Sequence, residues 1–265
     1  MVSDSIAVPS MHIVLAAMVL LLDFLFLLFT IQRSLYFFGK SARRRLESIR
    51  VKLAPGGRSE LYLVDCMSCA DLIYLPGNFV AVEEHIEFCK YMSKMLECNV
   101  VSMVYRGVAG NQHSPSEKGI IEDLSPISQW ISRRSTRKVV LGFSIGSAVG
   151  VRLAERCHVD ALVLVNPFVS LREVVGNILF GKVLKHLVVD EWDNASRMKG
   201  IDAPVHFIVS SSDEIVPPSH ADELIKRTRN PRKIVIPGAD HNEPMRNFTA
   251  HLYPVVDKIL MERYH

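Results

Sequence analysis

Gly142-Phe143-Ser144-Ile145-Gly146 decides the reading of this 265-residue chain, because of what flanks it. An apolar run, Lys138-Val139-Val140-Leu141, leads in, and a helix-like stretch from Ala148 to Cys157 leads away. Strand, turn and helix in that order are the setting in which Gly-x-Ser-x-Gly forms a nucleophile elbow, its serine pushed out above the sheet on strained backbone angles. Glycines two residues either side remove the Cβ atoms that would collide where strand and helix approach. The string alone says little, since its residues are common. At the end of a buried strand, with an acid and a histidine in the right order downstream, it says much more.

Both partners are present. The α/β-hydrolase arrangement runs serine, acid, histidine along the chain. After Ser144 the apolar strand Val205-His206-Phe207-Ile208-Val209 leads to Ser210-Ser211-Ser212-Asp213-Glu214, so Asp213 falls just past a strand's carboxyl end. A further strand, Lys233-Ile234-Val235-Ile236, enters Pro237-Gly238-Ala239-Asp240-His241-Asn242-Glu243, a loop that lets His241 reach over the strand ends. A serine hydroxyl is a poor nucleophile at neutral pH. It needs an imidazole to take its proton and a buried carboxylate to fix the imidazole's tautomer. Asp213 is preferred for the acid because its short side chain directly follows the strand; Glu214 competes. The chain has ten histidines, and those in polar, terminal or helical segments, such as His12, His85, His113, His251 and His265, read as ordinary surface or core residues.

Attack on a carbonyl creates an oxyanion that needs two donors fixed in advance. One is the backbone N–H of Ile145, directly after the nucleophile. The other belongs to the loop after an earlier strand, Leu72-Ile73-Tyr74-Leu75, which continues as Pro76-Gly77-Asn78-Phe79. The N–H of Asn78 is the candidate. Pro76 stands where histidine is common, so the hydrogen bonds supporting the hole must differ.

With those residues in place, the chain resembles the Bem-type (bud-emergence) α/β hydrolases, near the subgroup of α/β-hydrolase domain-containing protein thirteen, from about Leu61 to Leu260. Tyr105-Arg106-Gly107 with Ser114-Pro115-Ser116-Glu117 resembles that family's Tyr-Arg-Gly-Tyr-Gly and Ser-Pro-Ser-Glu segments. Asn166-Pro167-Phe168 with Ser170-Leu171-Arg172-Glu173 resembles its Ser-Pro-Phe/Tyr and Ser-Leu-Arg-Asp segments. Three departures stand out: Pro76 in the His-Gly-Asn motif, Val108-Ala109 for Tyr-Gly, and Ser210-Ser211 for His-Gly before the acid. None removes a triad atom. The resemblance implies a membrane-anchored serine hydrolase for acyl esters or thioesters and does not supply a substrate.

Composition agrees with one full-sized domain plus an anchor: 49% of residues are hydrophobic and the net charge is +3. Ile13 to Ile31 is a largely apolar run broken by one charge, Asp23. Roughly fourteen strongly apolar residues contribute about −4 to −8 kcal/mol to insertion, against about +2.5 to +3.5 for the aspartate, so insertion wins. A cleaved signal peptide fits less well, with no basic region before the run and no clear small-residue cleavage site after it. Arg33, Lys40, Arg43, Arg44, Arg45 and Arg50 follow the span, whereas the preceding flank carries Asp4 and no Lys or Arg. That asymmetry puts the catalytic domain in the cytoplasm, on the endoplasmic reticulum or plasma membrane, with the basic cluster beside anionic headgroups rather than nucleic acid. The five cysteines, odd in number, fit a reducing compartment, most reading as small core residues. Cys66-Met67-Ser68-Cys69 has no second pair, and neither zinc nor another metal is expected. Two glycosylation-type triplets, Asn194-Ala195-Ser196 and Asn247-Phe248-Thr249, point to the opposite topology and weigh less than the charge asymmetry.

The expected organisation is a tail (1–12), a transmembrane signal-anchor (13–31), a basic linker (32–56) and an α/β-hydrolase domain (57–265). Strand-like segments alternate with helical ones, which implies a mostly parallel central sheet flanked by helices. Val82, Ile86, Cys89, Met92 and Leu96 lie on one helical face, as do Ile120, Leu124, Ile127 and Ile131. Ser170 to Trp192 breaks the alternation: apolar and helix-patterned, it reads either as part of a small cap (about 168–200) over Ser144 or as an ordinary sheet-covering helix. As a cap it would join Phe79, Phe168 and Leu179 in an apolar acyl pocket. The expected chemistry is acyl transfer to water, with no cofactor, on a lipid or an acylated protein. Peptide hydrolysis on the same triad and a non-catalytic tethered scaffold are the alternatives.

Overall fold

The computed structural model describes residues 11–34, 50–53, 59–78, 82–107, 114–177 and 185–262. Eight strands form one sheet in the order β1-β2-β4-β3-β5-β6-β7-β8. They are β1 (Arg50–Leu53), β2 (Glu60–Val64), β3 (Ala70–Leu75), β4 (Asn99–Val104), β5 (Arg137–Phe143), β6 (Ala161–Val165), β7 (Val205–Ser210) and β8 (Pro231–Ile236). From β4 to β8 every neighbouring pair is parallel, while β1 and β2 run antiparallel at one edge. The pattern of the sequence explains the layout. β6 is a continuous apolar run and β3 is interrupted by one charge, Asp71, which Arg134 pairs at 2.6 Å; both are buried along their whole length, as parallel strands covered on both faces must be. β8 carries Lys and Arg on its exposed positions and opens with proline, as suits an edge.

Helices cover both faces. The expected helical faces materialise as α2 (Val82–Leu96) and α3 (Glu117–Ser132), with Ile120, Leu124, Ile127 and Ile131 all fully buried. Ser116 starts α3 by accepting a hydrogen bond from the Gly119 N–H at 3.1 Å. The helix after the elbow is α4 (Ile145–Ala154), and the chain's last described helix, Tyr253–Met261, packs against α2. A first helix, α1 (Met11–Ser34), contains the apolar run. Among the described residues no helix is long and apolar enough to cross a membrane.

Three expectations change. Residues 50–53, read as linker, form a strand paired with β2 from Arg50 opposite Leu63 to Leu53 opposite Glu60. Four residues of mixed polarity were too few to show a period. The stretch from Ser170 to Trp192 is not one continuous helix: α5 (Leu171–Gly176) stops at Asn177, and among the described residues that follow there is a 3₁₀ turn at Lys185–Leu187. Val175 reaches the interior from α5, and Val188 and Trp192 from irregular backbone, while residues 178–184 lie outside the described residues. Of the cysteines only Cys89 and Cys98 are buried; Cys66 and Cys69 are exposed on the turn before β3, and all five are free thiols.

Candidate active site

Backbone geometry creates the elbow. Ser144 sits at φ 53°, ψ −118°, a conformation that non-glycine residues rarely adopt. Strand pairing enforces it: the Ser144 N–H bonds the Val165 carbonyl at 3.0 Å, and the Ser147 hydroxyl and N–H bond the Ser144 carbonyl at 2.5 and 2.9 Å. The flanking glycines are obligatory. A Cβ on Gly142 would lie 2.4 Å from the Gly146 carbonyl oxygen, and one on Gly146 would lie 2.0 Å from that of Leu75.

The structure brings Ser144, His241 and Asp213 together. Ser144 Oγ is 3.0 Å from His241 Nε2, and His241 Nδ1 is 2.6 Å from Asp213 Oδ2. The other carboxylate oxygen of Asp213 accepts the N–H groups of Ile215 and Val216 at 2.9 and 2.8 Å. That leaves Asp213 buried, hydrogen-bonded and fixed in direction. Glu214 is exposed and does not enter the cluster. His241 is 7% exposed and rests against the Phe143 ring, with centroids 5.2 Å apart. Its loop is built locally: Gly238 turns at φ +70°, and Asp240 Oδ1 accepts the N–H groups of Asn242 and Glu243, both at 2.9 Å. The Arg246 guanidinium, more than those N–H groups, holds the exposed Asp240 carboxyl below its usual range.

The Leu75-Pro76 backbone presses on the start of α4, since a Cβ on Gly146 would meet both carbonyl oxygens. Asn78 is half-buried three residues beyond Leu75, and Ile145 opens α4, whose first N–H groups have no partner within the helix. The support that Pro76 cannot give through a side chain comes from elsewhere: the buried Tyr105 hydroxyl donates to the Pro76 carbonyl at 2.9 Å. Nothing local in the sequence marks Tyr105 for that task, because the bond joins residues 29 apart. Phe168 is 2% exposed and packs in the core beside the sheet. Phe79 and Leu179 lie outside the described residues.

The segment following α5 docks by polar contacts that periodicity does not reveal. Glu117 accepts the Trp192 N–H at 2.9 Å and Arg152 Nη2 at 3.0 Å, and Asp190 accepts the Glu117 N–H at 2.9 Å. His220 braces the chain just before α5: its Nδ1 accepts the Val169 N–H at 3.2 Å, and its Nε2 lies 2.9 Å from Nδ2 of the Asn177 side-chain amide. Burial lowers the His220 pKa, which keeps the ring neutral in that role. Asn194 is buried and donates to the Phe168 carbonyl at 2.9 Å, so the first glycosylation-type triplet is closed off by folding, whereas Asn247 is exposed. Among the described residues no three His, Cys, Asp or Glu side chains are grouped to hold a metal.

No model of a known protein family matches the chain. It is 36% identical over 154 residues to an uncharacterised protein of Mycobacterium tuberculosis, covering 56% of this chain and 55% of that one. It is 31% identical over 182 residues to the α/β-hydrolase domain-containing protein WAV2 of Arabidopsis thaliana, covering 61% and 59%. The chain thus spans little more than half the length of these curated relatives. Among solved structures, an esterase of Pyrococcus furiosus, Pf2001, superposes with a TM-score of 0.66 at 18% identity, covering 84% of this chain and 98% of that one. The strand order, the elbow and these likenesses agree: the chain has the α/β-hydrolase fold, and its relatives include α/β-hydrolase domain-containing proteins.

Proposed function

We propose that the protein is a membrane-anchored serine hydrolase that cleaves acyl esters or thioesters of lipids or acylated proteins. The observation that carries this is the chain of contacts from Asp213 through His241 to the strained Ser144, 2.6 and 3.0 Å long. His241 Nδ1 donates to Asp213, which leaves Nε2 unprotonated and facing the Ser144 hydroxyl. As Ser144 Oγ attacks the acyl carbonyl, Nε2 takes its proton. The carbonyl oxygen becomes negative and is held by the N–H groups of Ile145 and Asn78, each such donor being worth about 3–4 kcal/mol to the transition state. Collapse expels the alcohol or thiol with the proton from Nε2. Water then attacks the acyl-enzyme and gives a proton to Nε2, which passes it to Ser144 Oγ as the acid leaves. This sequence needs no metal and no organic cofactor.

The anchor reading rests on α1. The apolar run Ile13 to Ile31, whose one charged residue is Asp23, is the sequence feature behind it; no described helix by itself meets the length and apolarity of a span. Leu20, Leu22 and Phe26 are among the large apolar side chains of α1 left exposed by the folded domain. Basic residues follow the span, which favours a cytoplasmic domain facing the bilayer surface. Membership of the Bem-type subgroup fits the motifs and belongs to the same proposal. Peptide hydrolysis is less well supported: Arg172 pairs with Glu191 and Lys185 with Glu173, so the cations near α5 already have partners. A non-catalytic scaffold would have no use for a serine held in strained backbone with its base at hydrogen-bonding distance.

Labelling with an alkyl fluorophosphonate tests the whole reading. Native protein should be labelled and Ser144→Ala should not. The labelled species should stay with membranes through an alkaline carbonate wash and be digested by protease added to the cytoplasmic face. Equal behaviour of native and Ser144→Ala protein toward the probe sinks the hydrolase; release by carbonate sinks the anchor.

A further inference from the structure

Asn166 directly follows β6 with φ +47°, and the residue is 2% exposed. Asparagine tolerates that left-handed conformation better than most residues, but tolerance does not account for what the amide does. Its Nδ2 donates to the His241 carbonyl at 2.8 Å and to the Ser210 hydroxyl at 3.0 Å. Its Oδ1 accepts the Ser210 N–H at 2.8 Å. Ser210 is the last residue of β7, three before Asp213. The neighbouring Ser211 and Ser212 N–H groups bond the Ile236 and Ala239 carbonyls at 3.1 and 2.9 Å, which fastens the acid turn to the histidine loop. One planar group therefore joins the end of β6, the end of β7 and the backbone of His241.

We infer that Asn166 is a positioning residue for the proposed reaction, setting the imidazole against both of its partners without touching the reacting atoms. The inference rests on the hydrolase reading given above. Two donors and one acceptor in a plane are needed here. A carboxylate would set an oxygen against the His241 carbonyl and lose that bond by repulsion. A serine hydroxyl has one donor and a shorter reach. Glycine would satisfy φ +47° and supply none of the three bonds. Without the amide, the His241 backbone is free to drift, and displacement of a catalytic group by about 1 Å can cost about 10²-fold in rate.

The test compares native protein, Asn166→Gly and Asn166→Asp in their reaction with an alkyl fluorophosphonate from pH 5 to 9, with thermal melting recorded alongside. The inactivation rate constant at the high-pH plateau should fall about 10²-fold in both variants while the probe's apparent binding constant is unchanged. In Asn166→Asp the midpoint of the pH profile should also rise, because a new carboxylate beside His241 favours the imidazolium. Glycine separates backbone conformation from hydrogen bonding, and aspartate keeps size and shape, so a folded form of either suffices. A folded variant reacting at the native plateau rate overturns the inference. Native protein that fails to react at all overturns the hydrolase reading instead, and the two failures are distinct.

Discussion

Asp213 and Glu214 are adjacent carboxylates with different surroundings, and the difference is an argument about direction. Asp213 accepts two backbone N–H groups on Oδ1, so Oδ2 is left to meet His241 Nδ1. Replacing it with asparagine keeps the two backbone bonds and turns an NH₂ group toward Nδ1. The histidine must then carry its proton on Nε2, where it can no longer take one from Ser144. Asp213→Asn should lower the turnover of a chromogenic acyl ester about 10⁴-fold while the fold survives. Glu214→Gln should leave turnover near the native value; a large loss there would transfer the acid role. The three side chains that meet were readable because each follows an apolar strand in a fixed chain order. Asn166 and Tyr105 were not, since their bonds reach 75 and 29 residues along the chain and no local period encodes them.

Elements meet most tightly where β3, β5 and α4 converge, and Gly146 is the point of contact. Its hypothetical Cβ lies 2.0 and 2.5 Å from the carbonyl oxygens of Leu75 and Pro76. Those are backbone atoms in or beside a central strand and cannot swing aside as the tip of a side chain would. Gly146→Ala should therefore cost about 3 kcal/mol or more, read as a lower denaturation midpoint at unchanged slope. A stability loss below about 1 kcal/mol would mean that α4 can slide off β3. Most elements here were legible from pattern: the strand read over Val205 to Val209 lies within β7, and α2 and α3 carry the buried faces expected of them. The region after β6 was not. α5 has only six residues, and the described chain around Asp190 and Trp192 is held through Glu117, which Arg152 also binds. A polar clasp leaves no periodic trace.

Across the whole molecule, three interior histidines outside the Ser144–His241–Asp213 cluster link stability to pH: His220, described above, and two whose shifts are larger. His85 is buried in α2, stacked on Tyr74 at 5.3 Å, with Nε2 2.8 Å from Ser102 Oγ. Burial pushes its pKa from 6.5 down to about 4. His206, in the middle of β7, is likewise lowered from 6.5 to about 4, mainly by burial and then by the Arg232 charge, with Lys258 and Glu262 also facing it. An unfolded chain would protonate both near pH 6.5, whereas the folded one resists until about pH 4. Between those values the unfolded state binds more protons, so stability rises with pH across the window and falls as acid is added. The stabilisation is fully present above about 6.5, and each group contributes a slope of up to about 1.4 kcal/mol per pH unit below it. Urea midpoints measured from pH 7 to 4 should decline accordingly. His85→Leu loses the Ser102 bond and should start from a lower midpoint, yet its decline through the window should be shallower by one histidine's share. Parallel declines in the two proteins would mean that the folded interior accommodates the imidazolium of His85, and the neutral, buried ring would have to be abandoned.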